Sequence, residues 1–375
     1  MFRIRIFQPS VPEYRVGLYE GLAKRYKGRI DLWASPEGRA KVKSMPVKGM
    51  PFDYSHILVR FRNFYWQKGM SLKGLSRGDV LVVCGEIKGI SNVVFAAIAR
   101  CRGIRVVWWG HHWSITSNWV SVFIRLQVVK LVADAYLCYT QTGVDFLRRH
   151  GFANRQVFAT GNTIDAKPIK VACSRWDEAS LACFRRENGL ADRDVLLICG
   201  VLRDKVRLDL LLKAISDSKI IAKNIALVVI GDGPANEKYR EYSRTLGLGE
   251  RVKWLGATRD QEVMAPWFLS SKAFVYPGAI GLGIIHSMFY GLPVIVNDNP
   301  SSNGPEYEIM ENGRTGLVFK EGNPDDLVEK ILLLLEHEDQ RREMGRYAKE
   351  KAEKKYSMDN MVDNFSLAIE TVSAQ

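Results

Sequence analysis

The order of apolar and amphipathic segments is the feature that most constrains this fold. Short apolar runs alternate with amphipathic helical segments from end to end of the 375-residue chain. The predicted strands are RIRIF, DVLVVCG, RVVWWGHH, AYLCYT and QVFATGN in the first half, and DVLLICGVL, ALVVIGDGP, RVKWLG, AFVYPG and PVIVND in the second. Continuous apolar strands separated by helices are typical of parallel sheets covered on both faces. The chain is too long for one ordinary core, so the sequence predicts an α/β protein with two doubly wound domains.

The predicted domain boundary lies near residue 165. We expect an N-terminal domain over residues 1–165 and a C-terminal domain over 166–355, with the polar segment 166–190 as the linker. Open α/β sheets bind ligands at the carboxyl ends of their strands. The active site is therefore expected in a central cleft at which the two domains face each other.

The charge is distributed unevenly along the chain. Hydrophobic residues make up 47% and charged residues 25%, as in a soluble globular protein. Residues 1–165 hold 25 Lys and Arg against 10 Asp and Glu, whereas the remainder holds 29 against 31. This excess of +15 suits nucleic acid, an anionic membrane surface or an acidic substrate. The lack of RNP, KH and helix-turn-helix signatures disfavours nucleic acid, and a solvated basic surface without function is the alternative.

The cysteines and the apolar runs predict a location. Six cysteines are scattered without a CxxC pair or a Cys/His cluster, which favours reduced thiols in a cytoplasmic protein and no structural zinc. No uninterrupted apolar run reaches transmembrane length. The alternating start MFRIRIFQP is typical of a first strand and not of a signal peptide.

A basic loop follows the first strand of the second half. In GVLRDKVRLDLLL, residues 200–212, the apolar run ends before Arg203, Lys205 and Arg207. Cations at the carboxyl end of a strand suit the oxygens of a phosphate or diphosphate. Solvated side chains without a ligand are the alternative interpretation.

A glycine-rich turn is predicted on the same sheet. YPGAIGLGIIHSMFYGLPVI, residues 276–295, places Gly278, Gly281 and Gly283 ahead of an apolar helix. Glycine lets a backbone approach a ligand closely, and the first N–H groups of a helix favour anions. By itself the turn could be a tight loop, but together with the basic loop it predicts a diphosphate cradle.

The second half of the chain resembles a known family. GVLRDKVRLDLLLKAI, VVIGDGP, RVKWLGATRDQEV, VYPGAIGLGIIHSMFYGLPVIVND and GPEYEIMENGRTGLVFKEGNPDDL follow one another as in the family 4 glycosyltransferases, which are retaining enzymes of the GT-B fold. The resemblance covers roughly residues 195–335. In the first half, EYRVGLYEGL, ISN, WWGHH and GNTID resemble the subset acting in bacterial surface-polysaccharide assembly. The resemblance implies two Rossmann-like domains and a C-terminal helix, residues 356–375, that crosses back to the N-terminal domain.

The resemblance also implies catalytic residues. His111 matches a family histidine that contacts the donor sugar near the reacting carbon, with His112 as the open alternative. Glu306 matches an acid beside the donor. The family's arginine and lysine on the basic loop align with Val201 and Val206, so Arg203 and Lys205 are assigned in their place, with Lys205 stabilising the departing diphosphate.

The sequence departs from the family at its paired glutamates. The family's second glutamate, which holds the ribose, falls on His286, and the first, which holds the donor sugar, falls on Gly278 or nearer Gly281. No Asp or Glu occurs between Pro277 and Asn297. A neutral imidazole can bind a ribose hydroxyl, and a packed core histidine is the alternative for His286.

The remaining binding residues complete the predicted site. The donor-binding set is Arg203, Gly281, Leu282, Gly283 and His286, and the acceptor-binding set is Arg15 and Lys88. We expect no metal ligands and no cofactor, because the nucleotide diphosphate-sugar is a substrate.

Two apolar segments predict contact with a membrane. WVSVFIRLQVVKLVA, residues 119–133, is apolar on nearly all sides, with Arg125 and Lys130 as its charges. Residues 60–77 interleave aromatic side chains with cations. Both resemble an interfacial docking face. A buried helix and a loop anchored by core aromatics are the respective alternatives.

The sequence thus predicts a retaining, metal-independent glycosyltransferase of hexosyl type. The expected acceptor is lipid-linked or a growing polysaccharide in surface-glycan biosynthesis, such as O-antigen or capsule, at the inner face of the plasma membrane. A nucleotide-sugar 2-epimerase is the enzymatic alternative. A non-catalytic carbohydrate- or nucleotide-binding relative is the alternative from another class.

Overall fold

The computed structural model describes residues 2–38, 43–53, 57–111, 119–153 and 156–375. The chain divides into two compact units. The first unit comprises Met1–Ile164 with Met358–Gln375, and the second comprises Asp165–Ser357.

The strands lie close to the apolar runs of the sequence. They are β1 Ile4–Gln8, β2 Ile30–Ala34, β3 Phe52–Asp53, β4 Ile57–Phe61, β5 Phe64–Lys68, β6 Val80–Cys84, β7 Arg105–Trp109, β8 Ala135–Cys138, β9 Val157–Ala159, β10 Asp194–Cys199, β11 Ile225–Ile230, β12 Val252–Gly256, β13 Ala273–Tyr276, β14 Val294–Asn297 and β15 Gly316–Phe319.

Helices separate most of these strands. They are α1 Val16–Arg25, α2 Ile90–Cys101, α3 Trp119–Val132, α4 Gln141–Arg149, α5 Lys167–Cys173, α6 Glu178–Glu187, α7 Leu208–Ile215, α8 Ser218–Ala222, α9 Asn236–Thr245, α10 Gln261–Leu269, α11 Gly283–Phe289, α12 Pro324–Glu336, α13 Glu338–Lys355 and α14 Met358–Ser373.

In the described residues, the first unit is built on a seven-stranded parallel sheet in the order β3-β2-β1-β6-β7-β8-β9. Both faces of this sheet are buried. Ile4 and Ile6 of β1 point into a core that includes residues of α1 and α14, whereas Phe7 points into the opposite core, which includes residues of α2 and α3. Burial on both faces explains why the strands are continuously apolar.

The second unit has a six-stranded parallel sheet in the order β12-β11-β10-β13-β14-β15, again within the described residues. Strands β10, β11 and β12 are added in one direction, and β13, β14 and β15 in the other. The strand order therefore reverses between β10 and β13. Ligands of doubly wound sheets bind at such a reversal, at the carboxyl ends of the strands.

The expected linker over residues 166–190 is wrong, because this segment contains α5 and α6. Helix α6 starts with a capping box in which Asp177 and Ser180 bond each other's backbone. None of its residues is fully buried. The polar composition thus reflects an exposed, capped helix and not a flexible connection.

The first part of residues 60–77 is not the loop that was considered as an alternative. Antiparallel strands β4 and β5 form a hairpin in which Phe61 pairs with Phe64. Tyr65 and Gln67 of β5 are buried, while Phe61 is 72% exposed. The alternation of exposed and buried side chains is the period of a strand, which the interleaved cations obscured in the sequence.

Helix α3 is not the buried apolar helix considered as an alternative. Trp119 is 78% and Leu131 73% exposed, whereas Arg125 is 9% exposed on the inner side of the helix. No helix of the described residues is long and apolar enough to cross a bilayer.

Candidate active site

The strand reversal of the second unit brings the basic loop and the glycine-rich turn together. The basic loop follows β10, which ends at Cys199, and the glycine-rich turn follows β13, which ends at Tyr276. The N–H of Ala279 donates to the carbonyl of Lys205 at 2.9 Å. Two segments that lie far apart in the sequence are therefore joined by their backbones at one edge of the sheet.

Gly278 is required by this contact between the two loops. A Cβ at Gly278 would lie 2.0 Å from the carbonyl oxygen of Lys205 and 2.6 Å from the carbonyl carbon of Val206. No side chain fits at those separations. The first glycine of the turn is thus explained by packing of the protein against itself.

Gly281 and Gly283 are not explained in this way. A Cβ at Gly283 would be 3.6 Å from the ring of Phe274, and one at Gly281 would be 3.6 Å from Oε2 of Glu306. Both separations are ordinary van der Waals contacts, and neither glycine adopts a positive φ. A Cβ therefore fits at both positions without a clash. Close approach of a ligand to the backbone stays the predicted reason for glycine there.

The cations of the basic loop differ in their partners. Arg207 makes a bidentate contact with the carboxylate of Asp209 at 3.1–3.2 Å. Arg203 and Lys205 are exposed, and in the part of the chain that the structure describes neither side chain has a hydrogen bond or an ion pair. Two cations without a protein partner in the described residues therefore lie on the loop whose backbone contacts the glycine-rich turn.

A buried asparagine holds the glycine-rich turn. The side-chain amide of Asn297, at the end of β14, donates to the carbonyls of Pro277 at 3.1 Å and Gly278 at 3.0 Å. Its oxygen accepts from the amide of Asn303 at 3.0 Å. The oxygen of Asn303 in turn accepts from the N–H of Ile280 at 2.9 Å. These two residues satisfy backbone groups that an irregular buried turn otherwise leaves unpaired.

Glu306 lies against the same turn. It is 6% exposed, in a 3-10 turn over Pro305–Ile309, and its Oε2 would be 2.7 Å from a Cβ built on Gly304. The N–H of Gly304 donates to the carbonyl of Ile280 at 2.7 Å. The structure thus brings a carboxylate to the turn, although no acid occurs within it.

His286, on helix α11 after the turn, contacts residues of α10. Its Nε2 lies 3.0 Å from Oε1 of Gln261, which also accepts from the hydroxyl of Tyr290 at 2.8 Å. Its ring contacts that of Phe268 at a centroid distance of 4.9 Å. Because Gln261 uses an oxygen here, the Nε2 of His286 carries the proton and donates, which leaves Nδ1 as an acceptor. These contacts describe a packed histidine, and its ribose role stays a prediction.

We expect the packing of His286 to make folding sensitive to acid. Burial lowers the pKa of His286 to about 4, from 6.5 in an unfolded chain. Its neutral form stabilises the fold above pH 6.5, and this stability is lost as the pH falls towards 4, because only the unfolded state gains the proton. Between pH 7 and pH 5 the loss amounts to about 2 kcal/mol.

His286→Gln should therefore reduce the loss of unfolding free energy between pH 7 and pH 5. Denaturant titrations at both pH values measure the effect, with exposed His337→Gln as the control. Equal slopes for the two variants would exclude the packed, neutral histidine. Loss of nucleotide affinity at pH 7 without loss of stability would instead favour the ribose role.

In the first unit, Arg15 and His111 meet at the carboxyl ends of the strands. The guanidinium of Arg15 lies 4.4 Å from the ring centroid of Trp109 and 5.0 Å from that of Tyr139. The ring of His111 is 4.6 Å from that of Tyr139. His111 is exposed to solvent. Desolvation by its neighbours, followed by the charges of Arg15 and Arg125, lowers its pKa below the usual value. Its imidazole is therefore neutral near pH 7 and can accept or donate one hydrogen bond.

Within the described residues, no contact joins Lys88, the other predicted acceptor-binding residue, to Arg15 or His111. The side chain of Lys88 is exposed, and its carbonyl accepts from the N–H of Tyr65 at 2.9 Å. His112 lies outside the described residues. Leu282 precedes α11, which starts without a side-chain cap. Within the described ranges, no group of three or more His, Cys, Asp or Glu side chains is arranged to hold a metal.

Sequence reasoning missed Asn297 and Asn303, which hold the glycine-rich turn. The two asparagines lie in VNDNPSSN, where a polar residue directly after three apolar strand residues was a detectable signal.

Comparison with known proteins identifies the second unit. Residues 183–351 match the model of the family described as Glycosyl transferases group 1. Curated relatives include sulfoquinovosyl transferase SQD2 of Arabidopsis thaliana, which is 30% identical over 46% of this chain and 32% of the relative. D-rhamnosyltransferase WbpZ of Pseudomonas aeruginosa is 31% identical over 40% and 39%. The chain spans between a third and two fifths of the length of these two relatives.

Solved structures extend the likeness over the whole chain. Anabaena Alr3699/HepE in complex with UDP is similar with a TM-score of 0.72 and 16% identity, over 100% of both chains. The GT-B fold of two doubly wound α/β units is thereby confirmed. The residues that match the family model lie entirely within the second unit, which contains the basic loop and the glycine-rich turn.

Proposed function

We propose that this chain is a retaining glycosyltransferase of hexosyl type that uses a nucleotide diphosphate-sugar. The observation that carries the proposal is the pair of uncompensated cations, Arg203 and Lys205, beside Gly281 and Gly283 at the strand reversal of the second unit. Fixed positive charge and an open backbone are what a diphosphate requires. The relatives' names describe glycosyl transfer, in agreement with this role.

The proposed mechanism breaks the bond between the sugar carbon and the diphosphate oxygen, and forms the acceptor bond on the same face of the sugar. Arg203 and Lys205 stabilise the charge that develops on the departing diphosphate. The acceptor hydroxyl gives its proton to the leaving phosphate oxygen. Glu306, beside Gly281, is positioned for hydroxyls of the donor sugar. No metal is part of the proposal, so activity should persist in a chelator.

A thermal-shift screen of UDP, GDP, dTDP and CMP tests the donor site. Bound ligand stabilises the folded state by mass action, so the matching nucleotide should raise the melting temperature. Arg203→Ala and Lys205→Ala should each weaken its binding by about 10- to 100-fold, because a charge-assisted contact contributes about 1.5–3 kcal/mol.

Arg244→Ala is the matched control, since this exposed arginine of α9 pairs with Glu237 and Glu241. Parent-like nucleotide binding by both loop variants would reject the donor site. A non-catalytic nucleotide-binding role is the competing function, favoured by the lack of any acid between Pro277 and Asn297. Slow release of nucleoside diphosphate from the donor in the absence of acceptor would exclude it.

The acceptor is proposed to be lipid-linked or a polysaccharide in bacterial surface-glycan assembly, reached from the membrane surface. An exposed apolar surface on the first unit supports this. It is formed by hairpin β4–β5, helix α2 packed on β5, and helix α3 packed on α2. Its most exposed side chains are Phe61 at 72%, Trp119 at 78% and Leu131 at 73%. An exposed apolar surface on a unit with net positive charge suits an anionic bilayer.

Binding to anionic vesicles should be strong at low salt and fall steeply with ionic strength, because residues 1–165 carry a net +15. Trp119→Ser and Phe61→Ser should each weaken vesicle binding severalfold. Leu367→Ser, which removes a 55% exposed leucine from α14 of the same unit, is the control. Vesicle co-sedimentation measures the effect, and equal binding to neutral and anionic vesicles would contradict it.

A further inference from the structure

A tyrosine at the strand reversal of the second unit is buried without a hydrogen-bond partner for its hydroxyl. Tyr276 is the last residue of β13 and is 8% exposed. Within the described residues its hydroxyl forms no hydrogen bond. A buried tyrosine ordinarily places its hydroxyl against a partner. An unpaired hydroxyl on Tyr276 therefore indicates a partner from outside the chain.

This hydroxyl lies beside the carboxyl end of the neighbouring strand, β10. A Cβ built on Gly200 would be 3.5 Å from the hydroxyl oxygen of Tyr276 and 3.6 Å from Cε2 of its ring. Gly200 directly follows Cys199, the last residue of β10, so the ring lies at the point where the strand order reverses. In the part of the chain that the structure describes, the oxygen is not among the buried unpaired atoms, so a ligand can reach it.

Tyr276 also lies on the face of β13 that meets the glycine-rich turn. Residues two apart in a strand point to the same face, and the rings of Phe274 and Tyr276 are nearly parallel with centroids 6.1 Å apart. A Cβ at Gly283 would be 3.6 Å from Cζ of Phe274 and 3.8 Å from the carbonyl oxygen of Cys199. Tyr276 follows Phe274 towards the carboxyl end of the strand, which is the end at which ligands of such sheets bind.

The chemistry of this hydroxyl suits an anionic oxygen. Burial raises the pKa of Tyr276 to about 12, so the phenol keeps its proton at neutral pH and can donate it. A hydrogen bond from a hydroxyl to a charged oxygen is shorter and stronger than one to a neutral oxygen. Because the ring is already packed, the contact costs little additional side-chain freedom.

We propose that the hydroxyl of Tyr276 donates a hydrogen bond to a phosphate oxygen of the nucleotide diphosphate-sugar. It adds a fixed, uncharged donor to the positive charge of Arg203 and Lys205 and to the open backbone at Gly283. This inference rests on the proposed function, because it assigns a further residue to the same donor site.

Tyr276→Phe tests the contact, because it removes the hydroxyl alone. It should weaken the binding of inorganic pyrophosphate, and of the matching nucleotide among UDP, GDP and dTDP, about tenfold. The corresponding nucleoside, which carries no phosphate, should bind the parent and the variant equally. Isothermal titration calorimetry measures each affinity. The variant should melt at the temperature of the parent, since the hydroxyl has no protein partner to lose.

Tyr347→Phe is the matched control. The hydroxyl of Tyr347, on α13, donates to Oε2 of Glu311 at 3.1 Å. Loss of this hydrogen bond should lower the melting temperature slightly and leave the affinity for pyrophosphate unchanged. The two variants thus separate loss of a ligand contact from loss of a contact within the protein.

A spectroscopic measurement distinguishes a direct contact from an indirect effect on the turn. In protein labelled with carbon-13 at the tyrosine Cζ atoms, the resonance that is missing from Tyr276→Phe belongs to Tyr276. Saturating pyrophosphate should shift this resonance and leave that of Tyr347 in place.

Three outcomes would contradict the contact. Parent-like affinity for pyrophosphate and nucleotide in Tyr276→Phe, or an unshifted Tyr276 resonance, overturns it and leaves the proposed function intact. Equal weakening of nucleoside and nucleotide would place the hydroxyl at the ribose or base and overturn the phosphate contact. No binding of any nucleoside diphosphate by the parent would reject the proposed function and this contact together.

Discussion

Gly283→Val should abolish nucleoside diphosphate binding while the protein stays folded. The ring of Phe274 and the carbonyl of Cys199 are the nearest atoms to a Cβ at this position, at 3.6 and 3.8 Å. A Cβ therefore fits at this position, and we expect the substitution to cost the fold only about 1 kcal/mol. A diphosphate that touches this backbone cannot accept it, and affinity should fall more than about 100-fold.

Gly278→Ala is the matched contrast and should behave in the opposite way. A single methyl group there meets the carbonyl of Lys205 at 2.0 Å, so the basic loop must move away from the turn. We expect a loss of about 3 kcal/mol in unfolding free energy, together with weaker nucleotide binding. Denaturant titration and calorimetry on the same samples separate the two effects. Equal loss of stability in both variants would mean that Gly283 serves packing and not a ligand.

These two glycines show how far the sequence could lead. Spacing placed Gly278, Gly281 and Gly283 in one turn beside a basic loop, because apolar runs mark strand ends and parallel strands end at the same edge. The spacing could not show that the neighbouring backbone excludes a side chain at Gly278 but not at Gly283. That distinction depends on the contact between Ala279 and Lys205. Such a contact joins residues more than seventy positions apart.

The orientation of side chains was the other limit. The sequence of helix α3 is apolar on nearly all sides, so its pattern does not determine which face is buried. Arg125 is buried and Trp119 is exposed, the reverse of the usual preference of charged residues for the surface and apolar residues for the core. The hairpin β4–β5 was missed for a related reason. Its exposed strand residues include Phe61 and Trp66, which do not give the polar alternation expected of a half-buried strand.

Asn297 holds the glycine-rich turn in place, and its replacement should greatly lower the free energy of unfolding. The side chain is fully buried. Its amide donates to Pro277 and Gly278, while its oxygen accepts from the N–H of Asn299 and the side chains of Ser302 and Asn303. Asn297→Asp keeps the shape and the acceptor but replaces the donor with a buried carboxylate oxygen that faces two carbonyls. We expect a loss of about 3 kcal/mol or more at neutral pH.

The control for this substitution is Asn323→Asp, at the start of α12. Asn323 uses its oxygen to accept from the N–H groups of Asp325 and Asp326, a capping role that aspartate performs equally well. Denaturant titration should therefore find Asn323→Asp within about 0.5 kcal/mol of the parent. At pH 5 the Asn297→Asp protein should recover part of its stability, because a protonated carboxyl regains one donor. If Asn297→Asp is as stable as the control at neutral pH, the turn does not depend on this asparagine. Nucleotide binding measured on the molecules that remain folded then shows whether the turn must be held in this conformation to receive the diphosphate.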